Sequence, residues 1–231
     1  MAATVDIAVK RGINLGCGRV ILPCKQPDYH WLLPDELYRA GEYEWDNVDA
    51  VQQPGVTHII DLFDYPWRVK SRGAFAETNE TIAANTFDVA LAAHLVEHIP
   101  HAVKRNGLVV ETYGGWYAWW NELARILKPG GVAHVLVPFG VNRGVLIDPT
   151  HTRFLIPETF SYLKRNPDAP FDNPLDYEWE ALDDAMMAYT PLAIETAERE
   201  KSGYDSETLW KVAHKYQNMV NDFAISLRVM K

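Results

Sequence analysis

Apolar positions along this chain fall into two periods. Short runs of β-branched and small apolar residues, bounded by turn residues, predict buried strands. Arg11–Leu15 is the first, Thr57–Leu62 the second and Phe87–Ala92 the third. Val132–Val137 is the fourth, launched by the turn Lys128-Pro129-Gly130-Gly131. Such runs, spaced by helices, indicate a parallel sheet covered on both faces. Between the third and fourth runs, Trp116, Trp119, Trp120, Leu123 and Leu127 recur at helical spacing. This predicts an amphipathic helix whose regular tryptophan stripe packs in the core rather than on a ligand. Phe223, Ile225, Leu227 and Val229 alternate with Ala224, Ser226, Arg228 and Met230, which predicts an antiparallel strand near a sheet edge. Just before it, Leu209, Val212, Ala213 and Tyr216 mark a helix within Ser206–Met219.

Two regions break the alternation. Residues 20–46 are rich in prolines and aromatics and lengthen the first crossover, while residues 166–203 are Pro-rich, then acidic and helical. Long insertions of this kind serve as lids or pocket walls. The expectation is one domain over residues 1–231, with insertions at about 20–46 and 166–220 shaping an acceptor pocket.

Composition narrows the class. With 48% hydrophobic and 23% charged residues the chain is ordinary globular protein, and no apolar run reaches the roughly 18 residues a bilayer span needs. A soluble, cytoplasmic protein is expected. The two cysteines, Cys17 and Cys24, are too few for a disulfide framework or a structural zinc, so free thiols and no metal are expected. A formal net charge of −9 with dispersed basic residues disfavours general nucleic-acid binding and favours a small-molecule or protein partner.

Candidate chemistry gathers just after the strands, where an α/β sheet binds its ligands. Ile13-Asn14-Leu15-Gly16-Cys17-Gly18 ends the first strand in two glycines one residue apart, as a backbone must when it turns sharply against a ligand. Asp49 closes a short apolar run, and its carboxylate could accept two vicinal ribose hydroxyls; Asp46 is the rival for that role. Asp61-Leu62 ends the next strand and could receive an adenine amino group and ring. Ala93 and His94 end the one after.

These pieces resemble the class I S-adenosylmethionine-dependent methyltransferases, most nearly their type 11-like branch. The matching segments are Asn14–Gly18, Asn47-Val48-Asp49, Asp61–Trp67, Ala93–Pro100, Glu122–Gly131, Asp148–Phe154 and the final strand, in order from about residue 11 to the C-terminus. The resemblance implies a doubly wound, mostly parallel, seven-stranded Rossmann-like sheet with an antiparallel C-terminal strand and helical insertions. It implies S-adenosylmethionine as cofactor, with Asn14, Gly16, Cys17 and Gly18 around its methionine part, Asp49 at its ribose, Asp61 and Leu62 at its adenine, and Ala93 beside the reacting end. Asn14 stands where the family carries an acid, and Val20 where it carries a third glycine.

The implied reaction is SN2 transfer of a methyl group to an unidentified small-molecule or protein acceptor. A base is needed only if the acceptor must lose a proton, and His94 and His151 are the candidates. In Asp148-Pro149-Thr150-His151-Thr152-Arg153, the residues Asp148 and Arg153 could orient an acceptor, with Asn142 in the preceding loop. Two other readings stand beside this one: a cofactor-binding but non-catalytic regulatory partner, and a zinc-dependent hydrolase. The latter rests on His94-Leu95-Val96-Glu97-His98, which matches H-x-x-E-H with both histidines on one helical face.

Overall fold

The computed structural model describes residues 9–27, 30–69, 80–164, 174–199, 207, 209–211 and 218–231. Its centre is built from the apolar runs. β1 (Lys10–Leu15) is exposed at its first two residues and a half-turn of pleat later is buried through Leu15, the profile of a strand covered on both faces. It lies between β2 (Tyr43–Asp49) and β4 (Phe87–Ala93), parallel to both. β3 (His58–Ile59) adds parallel to the outer side of β2 and is shorter than the run Thr57–Leu62 predicted, with only two residues in the ladder.

After β4 the chain forms a hairpin of β5 (Val103–Arg105) and β6 (Leu108–Glu111), then α1 (Gly115–Ile126), then β7 (Leu127–Pro138). β7 pairs parallel with β4, and its register jumps from Phe87↔Leu127 to Val89↔Val132. The Lys-Pro-Gly-Gly turn is thus absorbed as a bulge inside one strand, with Gly130 in the left-handed region at φ 75.

α2 (Arg143–Ile147) is a single short turn of helix. β8 (Glu178–Ala181), β9 (Met186–Tyr189) and α3 (Pro191–Arg199) follow, and β10 (Val220–Met230) ends the chain. β10 runs antiparallel to β7, as its alternation predicted, but one position inside the edge. The edge itself is split: β9 pairs with the first part of β10 and β8 with the last. The sheet therefore has eight strands, in the order β3-β2-β1-β4-β7-β10-β8 with β9 also on β10, where seven were expected. Residues 178–189, inside the region expected to be helical and to form a lid, instead complete the sheet with two short strands. Most of the helix expected over Ser206–Met219 lies outside the described residues.

One face of the sheet carries the larger core, in which Trp67, Trp119, Trp120, Trp179 and Phe223 are sealed from solvent. The α1 tryptophans pack there as expected: Trp119 and Trp120 meet edge to face at 5.0 Å, and Trp120 meets Trp179 at 5.0 Å. The indole nitrogens of these three residues have no hydrogen-bond partner. Each ring buries about 150–250 Å², or about 4–6 kcal/mol, which outweighs the roughly 1–3 kcal/mol of an unpaired N–H.

The opposite face is covered by the first insertion rather than by a long helix. Leu22, Leu32, Leu33, Leu37 and Tyr38, the last two in a 3-10 turn over Asp35–Tyr38, pack on Trp45, Leu91 and Leu136. Among the described residues no helix is long and apolar enough to cross a membrane.

Candidate functional site at the carboxyl edge of the sheet

The glycine loop is held by its neighbours rather than by a helix. Gly16 and Gly18 both take left-handed backbone, at φ 61 and φ 51. The Cys17 amide donates to the Val48 carbonyl at 2.9 Å, and the Gly18 amide donates to Asp49 Oδ2 at 2.8 Å. Asp49 Oδ1 accepts from the Val51 amide at 2.9 Å. A carboxylate offers about four acceptor positions, so each oxygen keeps one for a further donor. A Cβ built on Gly18 would have no heavy atom closer than Gly16 O at 4.0 Å, whereas one on Gly16 would meet Leu95 Cδ1 at 3.0 Å. The loop after β4 therefore packs against the first glycine, and the space beside the second is open.

Asp46 and Asp49 part company here. Asp46 binds Arg11 at 2.8 Å and faces His58 at 3.5 Å, three residues before the strand end. Burial of Asp46 favours its neutral form, but His58 and Arg11 prevail and hold its pKa below the ordinary value. Asp49 alone borders the glycine loop.

Two of the residues expected around the cofactor are engaged inside the protein. Asn14 is buried, and its amide donates to Val20 O at 2.7 Å and Asn47 Oδ1 at 2.9 Å. Asn47 in turn brackets the Leu22 backbone, accepting from its amide and donating to its carbonyl at 2.8 Å each. The Asn14–Asn47 pair braces the loop from behind and does not face the open edge. Leu62 is likewise sealed in the main core, its carbonyl accepting from Trp67 Nε1 at 3.0 Å. Beside it the Asp61 carboxylate is half-exposed and caps the Phe63 amide at 3.0 Å. The Cys17 thiol is buried, and burial with the Asp49 charge pushes its pKa up to about 12, so only its backbone is available to a ligand.

At the end of β4, His94 adopts left-handed backbone at φ 53, and its amide donates to Leu136 O at 2.8 Å. A non-glycine residue held there signals that the surroundings demand the turn. His94 Nδ1 lies 3.6 Å from Glu97 Oε1. Burial lowers the His94 pKa, but Glu97 and Asp222 outweigh it, and the net shift is upward. The ring of buried His30, from the first insertion, stands 6.4 Å from that of His94 and bonds Tyr38 OH at 2.6 Å.

His151 joins the same cluster, its Nε2 4.0 Å from Glu97 Oε1 and 3.8 Å from Asp148 Oδ2. The segment is docked on the turn after β4, where the Thr152 and Arg153 amides both donate to Glu97 O. Asp148 accepts the Thr150 hydroxyl at 2.6 Å and amide at 2.8 Å, which hold its carboxyl below the ordinary range. Both candidate bases thus converge on Glu97, a residue that entered the sequence reading only through the H-x-x-E-H motif.

The remaining acceptor candidates also make bonds that hold the fold. Asn142 is buried, accepts from the Gly144 amide at 2.6 Å to cap α2, and donates to Val220 O at 2.8 Å and Asn221 Oδ1 at 3.1 Å. Its side chain ties α2 to β10 and is spent on that task. Arg153 donates to Ile99 O at 3.0 Å and Pro100 O at 3.2 Å and lies over the Trp116 ring at 5.2 Å. It straps two loops together while bordering a cavity of about 420 Å³ with Tyr117, Phe154 and Tyr162.

The zinc-peptidase geometry is absent. Val96–His98 is a short 3-10 turn, and His94 lies outside it in left-handed backbone, so His94 and His98 do not share a helical face.

No family model matches the sequence, and no curated protein matches it. Solved structures do match. An S-adenosylmethionine-dependent methyltransferase from Archaeoglobus fulgidus is 17% identical over 96% of this chain and 86% of its own, with a TM-score of 0.48. YcgJ from Bacillus subtilis is 15% identical over 97% and 92%, at 0.47, and the [4+2]-cyclase SpnF is 15% identical over 95% and 75%, at 0.45. The topology speaks for itself: a parallel β3-β2-β1-β4-β7 order followed by antiparallel β10 and the β8 edge. This is a Rossmann-like, mostly parallel sheet with an antiparallel C-terminal strand, as the resemblance implied. Within that fold the glycine loop, Asp49, Asp61 and His94 each follow a strand end on the same edge of the sheet.

Proposed function

We propose that this chain binds S-adenosylmethionine along the carboxyl edge of β1–β4 and transfers its methyl group to a small-molecule or protein acceptor. The observation that carries the reading is the Gly18–Asp49 junction. A left-handed glycine with open space where a Cβ would stand is tied by its amide to a carboxylate that keeps spare acceptor positions. Such a junction suits a ligand with an amino-acid end to lie along the loop and a vicinal diol for the carboxylate.

In this reading the backbone of Gly16, Cys17 and Gly18 takes the methionine part, Asp49 the ribose hydroxyls and Asp61 the adenine amino group. The bound cofactor supplies a methyl group on a sulfonium, already a good leaving group. The work left to this chain is alignment and exclusion of water. Ala93 and His94 sit where the acceptor meets the methyl. An acceptor that must shed a proton finds His94, made more basic by Glu97 and Asp222, or His151 on the far side of Glu97.

A crystal soaked with S-adenosylhomocysteine tests the reading. The ribose is expected within hydrogen-bond distance of Asp49 and the amino-acid end along Gly16–Gly18. Density for the ligand elsewhere, with the Gly18–Asp49 junction untouched, would overturn it.

A further inference from the structure

Glu97 is the group at this edge whose needs the protein itself leaves unmet. Its side chain is 1% exposed, and neither carboxylate oxygen has a hydrogen-bond partner among the described residues. A buried carboxylate is retained where a cation compensates it. His94 is the nearest basic group, but at 3.6 Å it is beyond hydrogen-bond range and addresses only one oxygen.

What surrounds Glu97 is a pair of histidines already set up as ligands. The His151 Nδ1 lies 2.9 Å from the Val145 carbonyl, which can only accept, so in the neutral ring the proton sits on Nδ1 and the Nε2 lone pair is left toward Glu97. His98 Nδ1 lies 3.0 Å from Thr150 Oγ1. That hydroxyl gives its hydrogen to Asp148 at 2.6 Å, so it accepts from His98 Nδ1 and leaves Nε2 of His98 unprotonated as well. Histidine ligands are oriented in this way, the second nitrogen donating to a carbonyl or to a relay ending on a carboxylate. One ligand atom from each of Glu97, His98 and His151 lies within 4.8 Å of the other two, and the two imidazole rings meet edge to face at 4.7 Å.

We propose that Glu97, His98 and His151 bind a divalent transition-metal ion, with zinc the best match to one carboxylate oxygen and two imidazole nitrogens. Ligand atoms on a tetrahedral zinc stand about 3.3 Å apart. The 4.0 Å between Glu97 Oε1 and His151 Nε2 needs to close by about 0.7 Å, and a separation at the 4.8 Å limit of the cluster by about 1.5 Å, through side-chain rotations that draw the three groups together. Three protein ligands leave a coordination position open. The His151 side chain is 10% exposed and His98 is half-buried, so the way in from solvent lies on the His98 side. Glu97 is a ligand here, and His151, 53 residues beyond His98, takes the place that the H-x-x-E-H reading gave to His94. The site stands on its own geometry. Resting on the methyl-transfer reading, the open position would hold an acceptor oxygen beside the methyl donor and make it easier to deprotonate.

The test uses the full chain, stripped with a chelator and titrated with cobalt(II) by visible absorption and with zinc by calorimetry. One ion per chain is expected, with affinity falling by about 100-fold or more in Glu97→Gln, His98→Gln and His151→Ala, since even second-shell partners cost 10–100-fold. His101→Ala, a nearby histidine outside the cluster, should bind as the parent does. Circular dichroism and S-adenosylhomocysteine affinity of each variant separate loss of the metal site from loss of fold or of the cofactor site. Absence of any bound ion, or an affinity unchanged in folded Glu97→Gln and His98→Gln, would overturn the proposal.

Discussion

Replacing Gly18 with alanine separates the two jobs a glycine loop can have. At φ 51 an alanine adopts the left-handed region at a cost of about 1–2 kcal/mol. The new methyl group meets nothing nearer than Gly16 O at 4.0 Å, so no packing penalty adds to that strain. For a chain of this size the melting temperature should fall by about 2–8 °C. Binding should suffer separately, because the methyl group projects into the space assigned to the amino-acid end of the cofactor. Forcing an extra carbon into an occupied site costs about 1–3 kcal/mol, or about 5–150-fold in Kd. Gly16→Ala makes the contrast: its Cβ would stand 3.0 Å from Leu95 Cδ1, so it should lose more stability than Gly18→Ala. Thermal melts paired with calorimetric titration of S-adenosylhomocysteine read both effects. A Gly18→Ala protein that melts lower yet binds as tightly as the parent would refute the assignment of the loop.

Three further outcomes follow from the same geometry. Asp61→Ala should weaken S-adenosylhomocysteine by about 1–3 kcal/mol in calorimetry while barely moving the melt, because among the described residues its carboxylate bonds only the nearby Phe63 amide. Asn142→Ala should do the reverse, costing about 1–3 kcal/mol in denaturant unfolding through the lost α2 cap and the lost tie to Val220, with cofactor affinity unchanged. Burial, with the His94 charge behind it, lowers His30 to about 4, and burial lowers His134 to about 4 against the pull of Glu36. In the unfolded chain both titrate near 6.5, so between pH 6.5 and 4 the unfolded state binds more protons and stability drops as the pH falls through that window. Each contributes at most about 3 kcal/mol. Denaturant unfolding at pH 7 and 4.5 should show the drop, and His134→Gln should shrink it; a variant with the parent's full drop would clear His134 of the effect.

Much of the sheet was legible because its signals are local. The runs at β1, β4 and β7, the tryptophan stripe of α1 and the alternation of β10 each state their period within a dozen residues, and each element formed. β8 and β9 were not legible. Four-residue strands carry too little pattern to distinguish them from loop, and what fixes them is pairing with β10, about forty residues downstream of β8. The glycine loop and Asp49 could be proposed from sequence because strand-end position is itself the signal. Asn14, Asn142 and Arg153 show why side-chain identity alone does not assign a site. A polar side chain that caps a helix or braces a loop has the same identity as one that holds a ligand, and only its partners tell them apart. Glu97 was hidden in another way. Its meeting with His151 depends on the 148–153 segment docking across the turn after β4, a contact that no local spacing encodes.

If the edge formed by β1, β2, β3 and β4 is a site for S-adenosylmethionine, as proposed, calorimetric titration of the unmodified chain with that ligand, with Asp49→Ala alongside, should reveal it. Saturable one-to-one binding is expected, weakening by at least about tenfold when the Asp49 carboxylate is removed. No binding at millimolar ligand, or binding indifferent to Asp49, would contradict it.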